Sequence, residues 1–466
     1  MKNFTISLYA FHLRHTFTDA PDDVDADAKL LWENLAKLGE STLPFSNLKN
    51  LRSKLICYQN DNYYPKAEQG RQTKWLTTDF GSIDLGSIST TEGFQINANI
   101  QPFLLNDTYA ADFTLLPESP HISIDVGQLQ HFQPSSLQPH NIQASLGQTL
   151  WIYGEVDANE NCQELANQYA VALFTELNPV LVNKGEIFGS LLFEYQPTKY
   201  QTTSSDETQN LTERFHILIC LNNNQAQTPQ LAGKTYDWLL KLLCCRHKIL
   251  YIYQQARNRY PDAKGIYSCL DENIRDFPNL IANSQNLQPL KELLEEMPKK
   301  SLDYARCLQD LESHHTAITI NINNYKTCLE EITAIGGDTP KFWQEFLNSA
   351  KKQQQQIETY LKYLTPAQNI FEQTIGTIRG IVEVKQAERD RSLENTIQIL
   401  GIAFGGGGIV SGVVTQHIEI PLASINLNEP FYPLVSSLVL SLVATLFFGF
   451  VAWLIFKPKR KKNKQK

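Results

Sequence analysis

The sequence predicts an α/β cytosolic domain followed by a long-helix region and a C-terminal two-helix transmembrane hairpin. Three observations carry that expectation. Apolar β-prone runs separated by polar loops fill the first half, and helical periodicity takes over from about Tyr236. Two uncharged stretches then precede the basic tail KPKRKKNKQK. The expected segments are an α/β domain over 1–233, a helical region over 234–338 and long stalk helices over 339–394. After these come a glycine-rich first span over 395–417, a short outer loop over 418–431, a second span over 432–456 and the tail over 457–466.

In chain order, the strand candidates are FTISLYAF, HISIDV, TLWIYGEV, GSLLFEY and FHILICL, and DADAKLLWENLAKLG and CQELANQYAVALF read as helices. QHFQPSSLQPHN and QPTKYQTTSSDETQNLTE, polar and rich in Pro or Ser, read as loops. YDWLLKLLCCRHKILYIYQQAR is apolar, but Lys241, Arg246 and Lys248 divide it, which makes it an amphipathic core helix rather than a span. Gly336 and Gly337 end a helix, and Asp338-Thr339-Pro340 opens the next. Thr365-Pro366 reads as an interruption and restart, after which Phe371, Ile375, Ile378 and Val382 recur at steps of four, three and four, a coiled-coil-like seam. Unbroken from Pro366 to Gln416, that helix would be about 75 Å long.

The glycines of LGIAFGGGGIVSGVV are neither a phosphate loop nor a linker. No Lys-Ser or Lys-Thr follows them, as a Walker loop needs to meet phosphate charge. Gly401, Gly405, Gly408 and Gly412 fall on one helical face, continued by Thr415, and would form a smooth stripe for helix packing or a pore wall. Basic residues flank the pair of stretches while none lies between them, so both termini are expected in the cytoplasm. Glu419 and Glu429 are then outer-loop acids, either cation attractors or simple solvated carboxylates.

Charge excludes one class of partner. Outside the last ten residues, 34 Lys and Arg face 49 Asp and Glu, a net of −15, which argues against nucleic acid. Eight cysteines without framework spacing read as reduced thiols. Asp23, Asp25 and Asp27 alternate as in a calcium loop, but Ala28 and Asn34 stand where that loop needs Gly and Glu, so helix capping competes with a loose divalent-cation site. Cys244, Cys245 and His247 lack a second ligand pair for zinc, and no nucleophile elbow or His-Glu-x-x-His occurs, so no enzyme is expected.

This order of segments, with one very long helix becoming the first span and a Lys-rich tail after the second, resembles the CorA family of magnesium and divalent-cation channels, most clearly over Thr339 to Lys466. The resemblance implies a funnel-shaped homo-oligomer, a pentamer, in the lipid bilayer of the inner membrane. It also implies a pore around the first span, gated by Mg2+ or another divalent cation bound between cytosolic domains. That family carries Gly-Met-Asn at the outer end of the first span. Here VVTQHIEIP stands in that place, so no filter role passes to Asn426 or Asn428. The second reading is a non-transporting, membrane-anchored sensor or effector whose α/β domain binds a ligand or partner.

Overall fold

A computed structural model describes residues 1–15, 24–68, 73–174, 177–198, 214–282, 288–389, 439 and 441–451. Its centre is an eight-stranded sheet built from β1 (Lys2–Leu13), β4 (Ile83–Ser89), β5 (Gln95–Leu105), β6 (Thr108–Pro117), β7 (Gly147–Glu155), β8 (Pro179–Ile187), β9 (Ser190–Pro197) and β10 (Phe215–Asn222). β2 (Tyr58–Gln59) and β3 (Asn62–Tyr63) form a separate small hairpin. The sheet order is β4-β5-β6-β1-β7-β10-β9-β8, and every neighbouring pair is antiparallel except β7 with β10. That parallel pair needs a crossover, and the connection carries a helix as such crossovers usually do.

Alternation along the strands separates two faces. Phe4, Ile6, Leu8 and Ala10 of β1 join Leu150 and Ile152 of β7 and Ile217, Ile219 and Leu221 of β10 in one apolar cluster. Helices α1 (Leu30–Glu40) and α4 (Cys162–Leu173) bury Leu31, Trp32 and Leu35, and Ala166, Tyr169 and Ala170, in the same cluster. Two one-turn helices, α2 (Leu51–Lys54) and α3 (Pro139–Ile142), lie between them in sequence.

The opposite face meets α5 (Thr228–Ala282). Tyr236 bonds Asp112 of β6, Phe11 of β1 packs on His247, and Arg246 meets Glu194 of β9. The two remaining long helices are α6 (Gln288–Gly336) and α7 (Lys341–Arg389). Tyr325 of α6 donates to the Trp343 carbonyl of α7 at 3.3 Å, and Tyr304 donates to the Leu364 carbonyl at 2.7 Å. The C-terminus of α6 follows its glycines: Gly337 has φ +82° and its N–H bonds the Thr333 carbonyl at 2.8 Å, a left-handed cap that a side chain would strain. Contacts divide the chain into two units, Met1–Tyr267 with Asp303–Pro366, and Ser268–Leu302 with Ala367–Lys466. In the second unit Phe371, Ile378 and Val382 of the expected seam are buried.

Several expectations need correction. The transmembrane hairpin is not borne out, and the multi-pass inner-membrane placement falls with it: among the described residues no helix is long and apolar enough to cross a membrane. In the 432–456 stretch the described helix is 441–451. The 395–417 stretch with Gly401, Gly405, Gly408, Gly412 and Thr415, and the loop carrying Glu419 and Glu429, lie outside the described residues. HISIDV is not a strand. Asp125 accepts from the Gln128 N–H at 3.1 Å while the Gln128 side chain accepts from the Asp125 N–H at 2.9 Å, and this capping box starts a 3-10 helix over Val126–Phe132. Pro366 does not interrupt α7, which runs through it.

Candidate functional site

Helix α5 presents two different faces in its first half. Trp238, Lys241, Cys245 and Lys248 follow each other at steps of three, four and three, so they stack along one side. Ala232, Tyr236 and Leu239 stack along another. Each stripe walls a cavity.

The first stripe faces the β5–β6 turn and α6 across a cavity of about 450 Å³. Asn106, at φ +59° in that turn, and Asn321, Asn324 and Thr327 from successive turns of α6 supply its polar groups. Leu104, Leu105 and Trp238 give it an apolar wall. Three lysines enter it and only two are neutralised. Lys74 lies 2.5 Å from Asp237 and Lys248 pairs with Asp107. Lys241 instead sits over the Trp238 ring, 4.9 Å from its centroid, and among the described residues no carboxylate pairs with it. Burial pushes the Cys244 and Cys328 thiols up to about 11, so both stay protonated at neutral pH and offer no anion to Lys241.

Between the cavities the sheet and α5 are joined by a buried polar clamp. Thr149 Oγ1 lies 2.8 Å from His247 Nε2 and 3.3 Å from His216 Nδ1, and His216 Nε2 lies 2.8 Å from Glu194 Oε1. Arg246 reaches Glu194 at 3.4 Å, the Asn183 amide donates to its other oxygen at 2.6 Å, and the guanidinium covers the Phe346 ring. Burial works against the Glu194 charge, yet these contacts outweigh it and hold the carboxyl at about 2. Burial, with Arg246 nearby, drives His216 down to about 4, so the imidazole is neutral at pH 7.

Carboxylate, imidazole and hydroxyl in series is a hydrolase-like order, but Thr149 is 0% exposed and none of these side chains lines either cavity. A nucleophile closed to substrate does no chemistry, so this array is a clamp. Its closeness fixes Gly147, at φ +128°, where an added Cβ would lie 2.7 Å from His247 Nδ1 and 2.8 Å from the Arg214 carbonyl.

The other sequence candidates are not brought together. Among the described residues no group of three or more His, Cys, Asp or Glu is arranged to hold a metal ion. Asp25 accepts from the Asp27 N–H at 3.0 Å and the Asp27 carbonyl accepts from His12 Nε2 at 2.8 Å, so these residues shape the turn before α1, while Asp23 lies outside the described residues. Sequence reasoning missed the Lys241 cavity. The signal was the spacing of Trp238, Lys241, Cys245 and Lys248, but their partners at Asn106 and Asn321 become neighbours only through the fold. No family model, curated protein or solved structure matches the chain.

Proposed function

We propose that the α/β unit is a non-catalytic receptor for a small organic anion, a phosphate or carboxylate carrying an apolar body. Lys241 carries this reading: it is an exposed cation with no carboxylate partner among the described residues, at the wall of a cavity of ligand size. Amide groups of Asn106, Asn321 and Asn324 ring the same space, and Leu104, Leu105 and Trp238 suit the apolar part of the ligand. The acidic body sharpens the argument, because a chain with a net of −15 outside its tail repels anions over most of its surface.

Phenyl phosphate, inorganic phosphate and benzyl alcohol separate the two halves of this recognition in a calorimetric titration. Phenyl phosphate should bind tighter than either. Equal affinity for benzyl alcohol and phenyl phosphate, or no heat from phenyl phosphate, would contradict the proposal.

A further inference from the structure

The second cavity, about 270 Å³, lies at the start of α5 against β1, β7 and β10. We infer that it is a binding site for a small organic ammonium ion. Five aromatic rings wall it, those of Tyr9, Trp151, Tyr153, Phe188 and Tyr236, and no basic side chain among the described residues does. Ring faces carry the negative part of the aromatic quadrupole and attract a cation, most strongly where water is excluded.

A carboxylate stands behind this wall. Asp112 of β6 is directly opposite Tyr9 in the β1–β6 register, so both side chains share the helix-facing side of the sheet. It is 2% exposed, and it accepts hydrogen bonds from the Tyr236 hydroxyl at 2.7 Å and the Thr114 hydroxyl at 2.9 Å. Thr114 Oγ1 in turn lies 2.7 Å from Ser7 Oγ, which lines the cavity. Among the described residues no basic side chain pairs with Asp112. Buried carboxylates are ordinarily paired, and here the aromatic cavity lies on the far side of Tyr9, Tyr236 and Ser7 from a carboxylate that meets only hydroxyls among the described residues. A cation there supplies the missing counter-charge. A neutral molecule of the same shape leaves it missing, and an anion meets repulsion.

Two lining residues, Pro229 and Gly233, are exposed, and a Cβ added at Gly233 would meet nothing within 4 Å. The positive end of the α5 dipole at Thr228 opposes a cation, but its influence falls off within the first turn, whereas the cavity extends along the helix to Leu239. This inference concerns a separate cavity and stands independently of the anion site.

The test is a titration of the full chain with choline and with 3,3-dimethyl-1-butanol, which has choline's shape without its charge. Choline should bind saturably and at least about ten-fold tighter than the alcohol. Asp112→Asn keeps the shape of the site and removes the charge. It should weaken choline about ten-fold while leaving the alcohol within about two-fold, and Trp151→Leu should weaken choline alone in a protein whose far-ultraviolet circular dichroism is unchanged. Choline binding no tighter than the alcohol, absence of choline binding, or wild-type choline affinity in Asp112→Asn would each overturn the inference.

Discussion

The two faces of the sheet are covered by helices in the same way but are built from different residues. On one face α1 and α4 close over Trp32, Leu35, Tyr169 and the apolar residues of β1, β7 and β10. On the other, α5 lies over Ser7, Tyr9, Asp112, Thr149, Glu194 and His216, and contributes Tyr236, Arg246, His247 and Lys248 of its own. The first face is a core in the ordinary sense. The second costs desolvation at every paired charge and leaves buried Asp112 without a basic partner among the described residues, while Lys241, exposed on another side of α5, has no carboxylate partner among them. A sheet built only for stability would be apolar on both faces, and the proposed ammonium site lies on the face that departs from this.

The largest effects should come from breaking each face at its centre. Trp32→Ala, at 0% exposure, should cost about 3–5 kcal/mol in denaturant unfolding, with little dependence on pH. Arg246→Met should cost a similar ~3–5 kcal/mol at pH 7, because it strands the Glu194 charge. That cost should shrink in acid. Glu194 titrates below its ordinary value, so its stabilisation is present above about pH 4.5 and is lost as pH falls toward about 2. A loss for Arg246→Met that stays constant from pH 7 to pH 3 would show that the guanidinium acts by packing on Phe346 rather than by charge.

Asp112→Asn should act in the other direction. Burial raises the Asp112 carboxyl to about 6, the hydroxyls of Tyr236 and Thr114 offset this only in part, and no basic group among the described residues faces it. A raised carboxyl favours the folded state below the unfolded value near 3.8, and that advantage is lost as pH rises through about 6. The variant should therefore gain on the order of 3 kcal/mol at pH 7 and little at pH 4. A gain in stability together with a loss of choline binding is what a functional charge predicts, and a structural charge does not.

Smaller effects follow at positions between and beyond the faces. Gly147→Ala should cost about 2 kcal/mol through its positive φ and the crowding of His247. Val180→Thr on β8, at 50% exposure, should stay within about 0.5 kcal/mol of wild type and serves as the control.

The apolar face was legible in the sequence and the polar one was not. β1, β7, β9 and β10 stand out as β-branched and aromatic runs. β4, β5 and β8 escaped because Gly86, Pro102, the Asn and Ala positions of QINANIQPFLL and Pro179 dilute the same signal. HISIDV misled in the opposite sense, since its alternation ends in a capping aspartate. The clamp joins residues 149, 194, 216 and 246, which meet only because β7, β10 and β9 are neighbours in that order. Strand order is set by long-range pairing, and no local pattern reports it.

The most direct test of the receptor account compares two lysines in one cavity. Phenyl phosphate is titrated calorimetrically into the wild-type chain, Lys241→Met and Lys74→Met. Lys74 is already paired with Asp237, and among the described residues no carboxylate pairs with Lys241. The account predicts that Lys241→Met weakens binding by about ten-fold or more while Lys74→Met stays within about three-fold, the difference expected of a charge-assisted contact. Equal losses in the two variants, or none in Lys241→Met, would contradict it.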